Sequence, residues 1–360
     1  MNKQKKWVLN IGNSILPVLL AFVLGAILML AIGENPWDVY SIMIGKSLFT
    51  AKGILKTLHG AAPLILTGLA IAITFKAGIY NMGVEGQMLL GGFMAGIAGY
   101  LITGLPPVLH VALCLLIGIA SGMFFALIPA VLKAYFKVNE MVVTLMLNYA
   151  MIEVLQFLTE GPFRDPASGF VSTPRIAETA MFNKLWGSEI TPFFFVVIFV
   201  FAIMYIVFNR SRLGFEVTAI GKNSRFAEAT GMDVKRKIMT IMLISGAISG
   251  LAGAGHMMSD QYIYSLNFSG LPGLGWDGML IALLGMHSPA GVMIAAVFYS
   301  ALITGSQSIA IYSGVPKEIV AVIQGLIVLF LAIQFIERRT GVISRWTRMM
   351  RTKKIDGVEE

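Results

Sequence analysis

The stretch from Pro106 to Leu132 reads PPVLHVALCLLIGIASGMFFALIPAVL and contains no Asp, Glu, Lys or Arg. As a helix rising 1.5 Å per residue it would be about 40 Å long, more than the roughly 30 Å of hydrocarbon in a bilayer. An uncharged apolar run of that length reads as a membrane-spanning helix. The rest of the chain has the same character: 57% of its 360 residues are hydrophobic and 13% are charged, against about 45–50% and about 25% in soluble chains. Mean hydropathy is +0.79 over the whole length. At about 20 residues per span, the hydrophobic positions furnish about ten spans. A soluble enzyme, a disordered tail and a secreted disulfide scaffold are all excluded. Cys114 is the one cysteine and lies inside the quoted run, so no intrachain disulfide can form and the thiol reads as packing.

The expected fold is therefore all-α and polytopic, with spans near 11–32, 57–75, 86–104, 106–132, 138–158, 191–208, 238–258, 276–286, 289–311 and 316–336. The first follows Lys3, Lys5 and Lys6 like a signal peptide. It is long enough to span, and Glu34-Asn35-Pro36 follows it instead of a small-residue cleavage site, so it reads as a retained helix. The eighth is too short to cross alone, and Pro289 with the glycines before it points to a broken or half-buried helix. Ten spans starting inside place both termini in the cytoplasm. Twenty of the 27 Lys and Arg then fall on the inner side and seven on the outer, a strong positive-inside bias. The net charge of +8 is thus read as loops that orient helices, with no nucleic acid implied. Trp7, Trp37, Trp186, Trp276 and Trp346 all fall outside or at the ends of these spans, as interfacial anchors do. Residues 1–10 become a cytoplasmic tail, 11–336 the membrane domain and 337–360 a basic cytoplasmic tail. Within the membrane domain, 159–190 is an external loop and 209–238 an internal one.

Small-residue spacings at Gly92/Gly96, Gly118/Gly122 and Gly246/Gly250 let helix backbones approach closely. A weak internal repeat is also visible. Asn81-Met82-Gly83-Val84-Glu85-Gly86 leads into the third span. Asn267-Phe268-Ser269-Gly270, a Gly/Pro-rich stretch and Asp277-Gly278 lead into the eighth. These two entries have opposite orientation in the ten-span layout, the pattern of inverted repeats, with spans 2–5 and 7–10 as the halves.

Catalytic signals are missing. Gly45-Lys46-Ser47 resembles the end of a phosphate-binding loop, but the glycine required five positions before Gly45 is Tyr40. His59, His110, His256 and His287 show no metal-ligand spacing, and no nucleophile signature occurs. The chain reads as no enzyme, with no metal and no cofactor of its own. Ionisable groups in a membrane default to functional hypotheses, yet the spans offer mainly Glu85, Glu153 and Asp277. So few suit a carrier whose driving energy comes from elsewhere. The fifth span is the most polar, with Asn139, Glu140, Thr144, Asn148, Tyr149, Glu153 and Gln156. Thr144 through Gln156 cover about half of its circumference, and Asn148 sits near the midplane. These groups either bond neighbouring helices or line a passage for a hydroxyl- and nitrogen-rich solute. Within 209–238, Ser224–Thr230 is short and helix-competent, with Asn223 or Ser224 as N-cap and Gly231 as terminator.

The string Ala219-x-Gly221-x-Asn223 with Ala227, Ala229 and Gly231 resembles the coupling loop of permease subunits from ABC importers of sugars, branched-chain amino acids and nucleosides. Two further strings resemble the nucleoside-type branch. One is Gly78-Ile79-Tyr80-Asn81-Met82-Gly83-Val84-Glu85-Gly86-Gln87-Met88. The other is Asn139-Glu140-Met141-Val142-x-Thr144-Leu145-Met146-Leu147-Asn148-Tyr149. Trp276-Asp277-Gly278 through Leu284-Gly285, then Ser288-Pro289, agrees with that branch, and the similarity covers about residues 55 to 335. The older importer motif puts its glycine six residues after the glutamate, whereas Gly231 follows Glu228 by three.

The resemblance implies a plasma- or inner-membrane permease working with cytoplasmic ABC ATPases, a second permease (identical or paralogous), and an external binding lipoprotein. It implies ATPase coupling through Asn223, Arg225, Ala227, Glu228 and Gly231. A substrate pathway is expected at Asn148, Tyr149, Thr144, Glu153, Asn81, Glu85 and Asp277, and binding-protein docking at 159–190 and around Asp260–Gly275. A sugar permease, a self-sufficient secondary carrier and a membrane scaffold are the alternatives.

Overall fold

The computed structural model describes residues 23–312, apart from 28, 32, 186, 188, 271 and 272, together with 322 and 325. Residues 1–22, most of the tenth expected span and the tail 337–360 lie outside the described residues, and 23–27 and 29–31 of the first span are helical. The chain divides into two compact units, one of 1–49 with 302–360 and one of Thr50–Ala301. In the first unit α1 (Pro36–Leu48) occupies a stretch expected to be loop. Asn35 caps it by accepting from Trp37 N at 3.1 Å, and Pro36 opens its first turn. Those are local start signals that a hydropathy reading passes over.

The second unit contains α2 (Ala51–Lys76), α3 (Val84–Leu101), α4 (Pro107–Phe136), α5 (Glu140–Glu160), α6 (Phe193–Arg210), α7 (Arg212–Lys222), α8 (Ser224–Ala229), α9 (Val234–His256) and α10 (Leu274–Leu284). It also holds most of α11 (Pro289–Tyr312). Among the described residues, β structure is confined to one isolated bridge, Ser172 with Ser265. Six helices among the described residues are long and apolar enough to cross a membrane: α2, α4, α5, α6, α9 extended to Gln261, and α11. The protein is thus an all-helical polytopic membrane protein. Helix α10 is only about 16 Å long, the short eighth element anticipated above. The expected loop 209–238 is mostly helix. Ser211 caps α7 by accepting from Gly214 N, Asn223 caps α8, and Asp233 caps α9 by accepting from Arg236 N. Buried Glu216 of α7 pairs with Lys237 at 2.6 Å and Arg212 at 3.3 Å. Two of the cations counted as orienting charges therefore also bind this segment together.

The three-helix centre of this unit is built on glycine. Gly118 and Gly122 of α4 face Gly246 and Gly250 of α9, while Gly91 and Gly92 of α3 face Gly250 and Gly253. A Cβ on Gly250 would lie 2.1 Å from the Gly118 carbonyl oxygen, and one on Gly253 would lie 1.9 Å from that of Met88. Backbone meets backbone there, so no rotamer change can make room. Gly250→Val should therefore abolish monodisperse protein in detergent, judged by size-exclusion chromatography and thermal unfolding. Gly169→Val, where a Cβ meets nothing within 4 Å, should behave as wild type.

Candidate functional site

Helix α2 ends at Lys76 and α3 starts at Val84, and the backbone between them is unwound. From there α3 runs toward the 161–192 segment, where its Gly99 meets Ile176 and Ala180. Helix α10 runs the other way, alongside α2. Its Gly278 meets Thr67, its Ile281 meets Gly68, and the His287 ring beyond it lies 5.6 Å from Phe75. The N-termini of α3 and α10 thus face each other, and the Glu85 side chain fills the gap. Its carboxyl oxygens accept from Ser269 Oγ at 2.5 Å and Gly275 N at 2.6 Å, with the residue 4% exposed. A Cβ on Gly273 or Gly275 would strike Glu85 at 2.7 or 2.6 Å, so both glycines are needed for the approach. Helix N-termini present unpaired N–H groups and partial positive charge, which an acidic side chain suits. Asp277, one turn on, accepts from Tyr299 OH at 2.7 Å.

The unwound segment has its own partners, and α5 supplies most of them. Glu140, Thr144 and Asn148 recur every four residues on one face. Glu140 Oε1 accepts from Tyr80 N at 3.2 Å, and Thr144 Oγ1 from Met82 N at 3.1 Å. Asn148 Oδ1 accepts from Gly86 N at 2.9 Å, and its Nδ2 donates to Met82 O at 2.6 Å. Asn81 closes the turn by accepting from Gly83 N at 3.0 Å and donates to Ser245 of α9 at 3.0 Å. Backbone that leaves a helix within a membrane must find such internal partners. Of the seven expected pathway residues, Asn81, Glu85, Thr144, Asn148 and Asp277 are therefore buried and brought to the two helix starts. Tyr149 (64% exposed) and Glu153 point away on the opposite side of α5.

At the Lys76 end, α7 lies against the unwound segment, and α8 follows directly on α7. Gly221 packs so closely that a Cβ would be 2.0 Å from the Lys76 carbonyl oxygen. Asn223 Oδ1 accepts from Phe226 N at 3.1 Å, and Gly231, at φ +86°, ends the turn with Gly231 N donating to Glu228 O and Met232 N to Ala227 O. Ala227 is fully buried and anchors α8, while Arg225, Phe226 and Glu228 are exposed. Phe226 was absent from the expected coupling set. Its only sequence signal is a large aromatic residue in a charged loop.

At the other end, 161–192 and 257–273 are joined by backbone bonds. Thr173 N donates to Tyr264 O, Ile176 N to Tyr262 O and Phe182 N to Met258 O. Asp260 lies between His59 (3.6 Å) and His256 (3.7 Å). That grouping was invisible in the sequence because His59 lies about 200 residues from His256 and Asp260, which are four apart. Among the described residues no group of three His, Cys, Asp or Glu could hold a metal. The Lys184–Glu189 pair lies on the surface of this platform, and the hydrogen bond from Lys184 draws the Glu189 pKa down.

Replacing Glu85 by Ala would strand the Ser269 hydroxyl and the Gly275 N–H, each at a cost of about 1–3 kcal/mol. A clear fall in thermal unfolding temperature in detergent is expected, with Glu160→Ala on exposed α5 surface changing stability by less than about 0.5 kcal/mol.

The profile of the family described as "Branched-chain amino acid transport system / permease component" matches residues 53–332. The guanosine ABC transporter permease protein NupP of Bacillus subtilis is 34% identical over 324 residues, 88% of this chain and 92% of that protein. The nucleoside ABC transporter permease protein NupB of Lactococcus lactis is 34% identical over 334 residues, 89% and 90% of the two chains. The glucose ABC transporter permease protein TsgB13 of Haloferax volcanii is 34% identical over 344 residues, 92% and 90%. No solved structure gives a significant match. Family and fold agree that this chain is a multi-pass plasma-membrane protein, no enzyme, and belongs to the ABC importer permeases of the nucleoside and sugar branch.

Proposed function

We propose that the chain is the membrane subunit through which an ATP-driven importer passes nucleosides delivered by an external binding lipoprotein. The observation that carries this reading is the near full-length similarity to permeases named for guanosine and for nucleosides. The two strings that resemble the nucleoside-type branch are in keeping with it, although the network they form around Glu85 and α5 serves the protein's own backbone. The glucose permease relative, at the same identity, keeps sugar import as the second reading.

In the proposed layout of ten spans, spans 2–5 and 7–10 form two inverted repeats, both termini are in the cytoplasm, and α7 and α8 face the cytoplasm. Cytoplasmic ATPases grip α8 at Asn223, Arg225, Glu228 and Gly231, with exposed Phe226 as an added anchor and buried Ala227 holding the helix to its own subunit. They consume the ATP, and this chain carries no cofactor. A push on α8 is passed by α7 through Gly221 to the Lys76 carbonyl and so to the unwound segment. That segment leads to Glu85, where the two half-repeats meet and rock about a central path. Asn81, Glu85, Thr144, Asn148 and Asp277 hold the wall of that path, and Tyr149 and Glu153 face the solute or the second permease. The external lipoprotein docks on the platform of 159–190 and 257–273.

Labelled-nucleoside uptake in a deletion strain tests the substrate. Unlabelled nucleosides should compete while ribose, glucose and leucine do not, and competition by the sugars alone would establish the second reading. A variant tests the coupling. A β-branched residue at Gly231 must adopt a left-handed backbone at about 1–2 kcal/mol, so Gly231→Val should lose transport and substrate-stimulated ATP hydrolysis with membrane insertion intact. Gly231→Asn, which tolerates that conformation, should retain much of both. Full uptake by Gly231→Val would remove the coupling assignment.

A further inference from the structure

Beside α8 lies a cavity of about 840 Å³, bounded by the end of α4, the unwound segment after α2, α7, α8 and the start of α9. Lys133, Lys137, Lys222, Arg225 and Lys235 line it, with Glu228 as the lining carboxylate. Two nearby cations are matched: Lys133, itself on the cavity wall, pairs with Glu140 at 2.5 Å, and Lys237 pairs with Glu216. Among the described residues no carboxylate lies within ion-pair distance of Lys137, Lys222, Arg225 or Lys235. All four are exposed, and the Lys235 ammonium stands 6.0 Å above the Tyr135 ring. The site therefore carries positive charge that the protein leaves unmatched.

Apart from Asn223 and Ser224, the rest of the lining is apolar or glycine, including Ile79, Ile220, Val234 and Ile238. Next to the cations, Tyr135, Phe136, Val138 and Met141 expose large apolar surface. Lys137 follows directly on α4 and Lys235 lies in the first turn of α9, so the cations sit where two spanning helices leave the hydrocarbon. A ligand matching this layout has an anionic phosphate at the helix ends and acyl chains along the aromatic surface. Basic pockets at the ends of membrane helices hold anionic headgroups in this way.

We propose that this cavity binds the phosphate headgroup of an anionic phospholipid of the inner leaflet, with its chains against Tyr135 and Phe136. A lipid held there would touch Arg225 and Glu228 of α8, and so steady the segment that the ATPases grip. The proposal rests on the cytoplasmic placement of α8 given above.

The full chain is purified into nanodiscs of phosphatidylcholine with increasing phosphatidylglycerol, and retained lipid is read by native mass spectrometry. Wild type should retain phosphatidylglycerol in preference to phosphatidylcholine. Lys137→Gln with Lys235→Gln should weaken that retention at least about tenfold, and Lys137→Arg with Lys235→Arg should restore it. Retention unchanged in the Gln pair would overturn the site, as would full displacement of the lipid by equimolar inorganic phosphate. Loss of ATPase co-purification with phosphatidylglycerol retention unchanged would assign the cations to the ATPase and overturn it too. Uptake is measured separately. Absence of nucleoside uptake alongside lysine-dependent phosphatidylglycerol retention would break the proposed function and support the lipid site.

Discussion

Two helices that start inside a membrane protein and point their N-termini at each other create a problem that only a few side chains can solve. Each start leaves N–H groups without helical partners and adds partial positive charge. Bringing two such ends together without water concentrates both costs. Glu85 answers them with a single carboxyl group that belongs to α3 and accepts from Gly275 N and Ser269 Oγ at the α10 start. The glycines at 273 and 275 are part of the same solution, because a side chain on either would strike Glu85. The acidic residue and the glycines opposite it are one device.

The rest of the second unit follows from holding that device in place. The segment from Ala77 to Gly83 delivers the chain to Glu85 outside any helix, so its amides need partners, and α5 provides them from a face repeating every four residues. The glycine contacts among α3, α4 and α9 then fix how near α3 can come to its neighbours. Backbone contacts of this kind transmit displacement with little give, since no side chain can rotate out of the way. Gly221 against the Lys76 carbonyl has the same character. Gly221 thus ties α7 to the start of the unwound segment, which leads on to Glu85.

Features governed by local chemistry were legible in the sequence, and those governed by partners distant in the chain were not. Helix α8 could be read because Asn223 and Gly231 are start and stop signals within a few residues of each other. The close approach at Gly118/Gly122 and Gly246/Gly250 could be read because spacing alone places both glycines of a pair on one face. The Glu85 and Asp277 entries stood out as Gly-rich breaks, but the sequence could not show that Ser269 and Gly275 would bond to Glu85. Helical periodicity put Thr144 and Asn148 on one face without saying whether that face would meet a solute or the backbone at residues 82 and 86. Tyr149, one position on, is turned by about 100° and lies exposed. Adjacent polar residues thus received different roles. Helix α1 was missed for the opposite reason: its caps are plain, but its composition is too mixed for a span.

Cargo choice is hard to read from this chain for a physical reason. The polar residues that mark the family-like strings are largely committed to the protein's own backbone, as Asn148, Thr144 and Asn81 show. Residues used in that way are required whatever the cargo, because exposing an unwound segment to hydrocarbon is costly for any permease. Similarity concentrated on such positions tracks the scaffold and is insensitive to the solute. Under the proposed function, discrimination would fall to side chains not committed to the backbone, such as those on the exposed side of α5 that carries Tyr149 and Glu153. A handful of substitutions on such a surface could turn a sugar path into a nucleoside path while leaving Glu85 and the glycine contacts untouched.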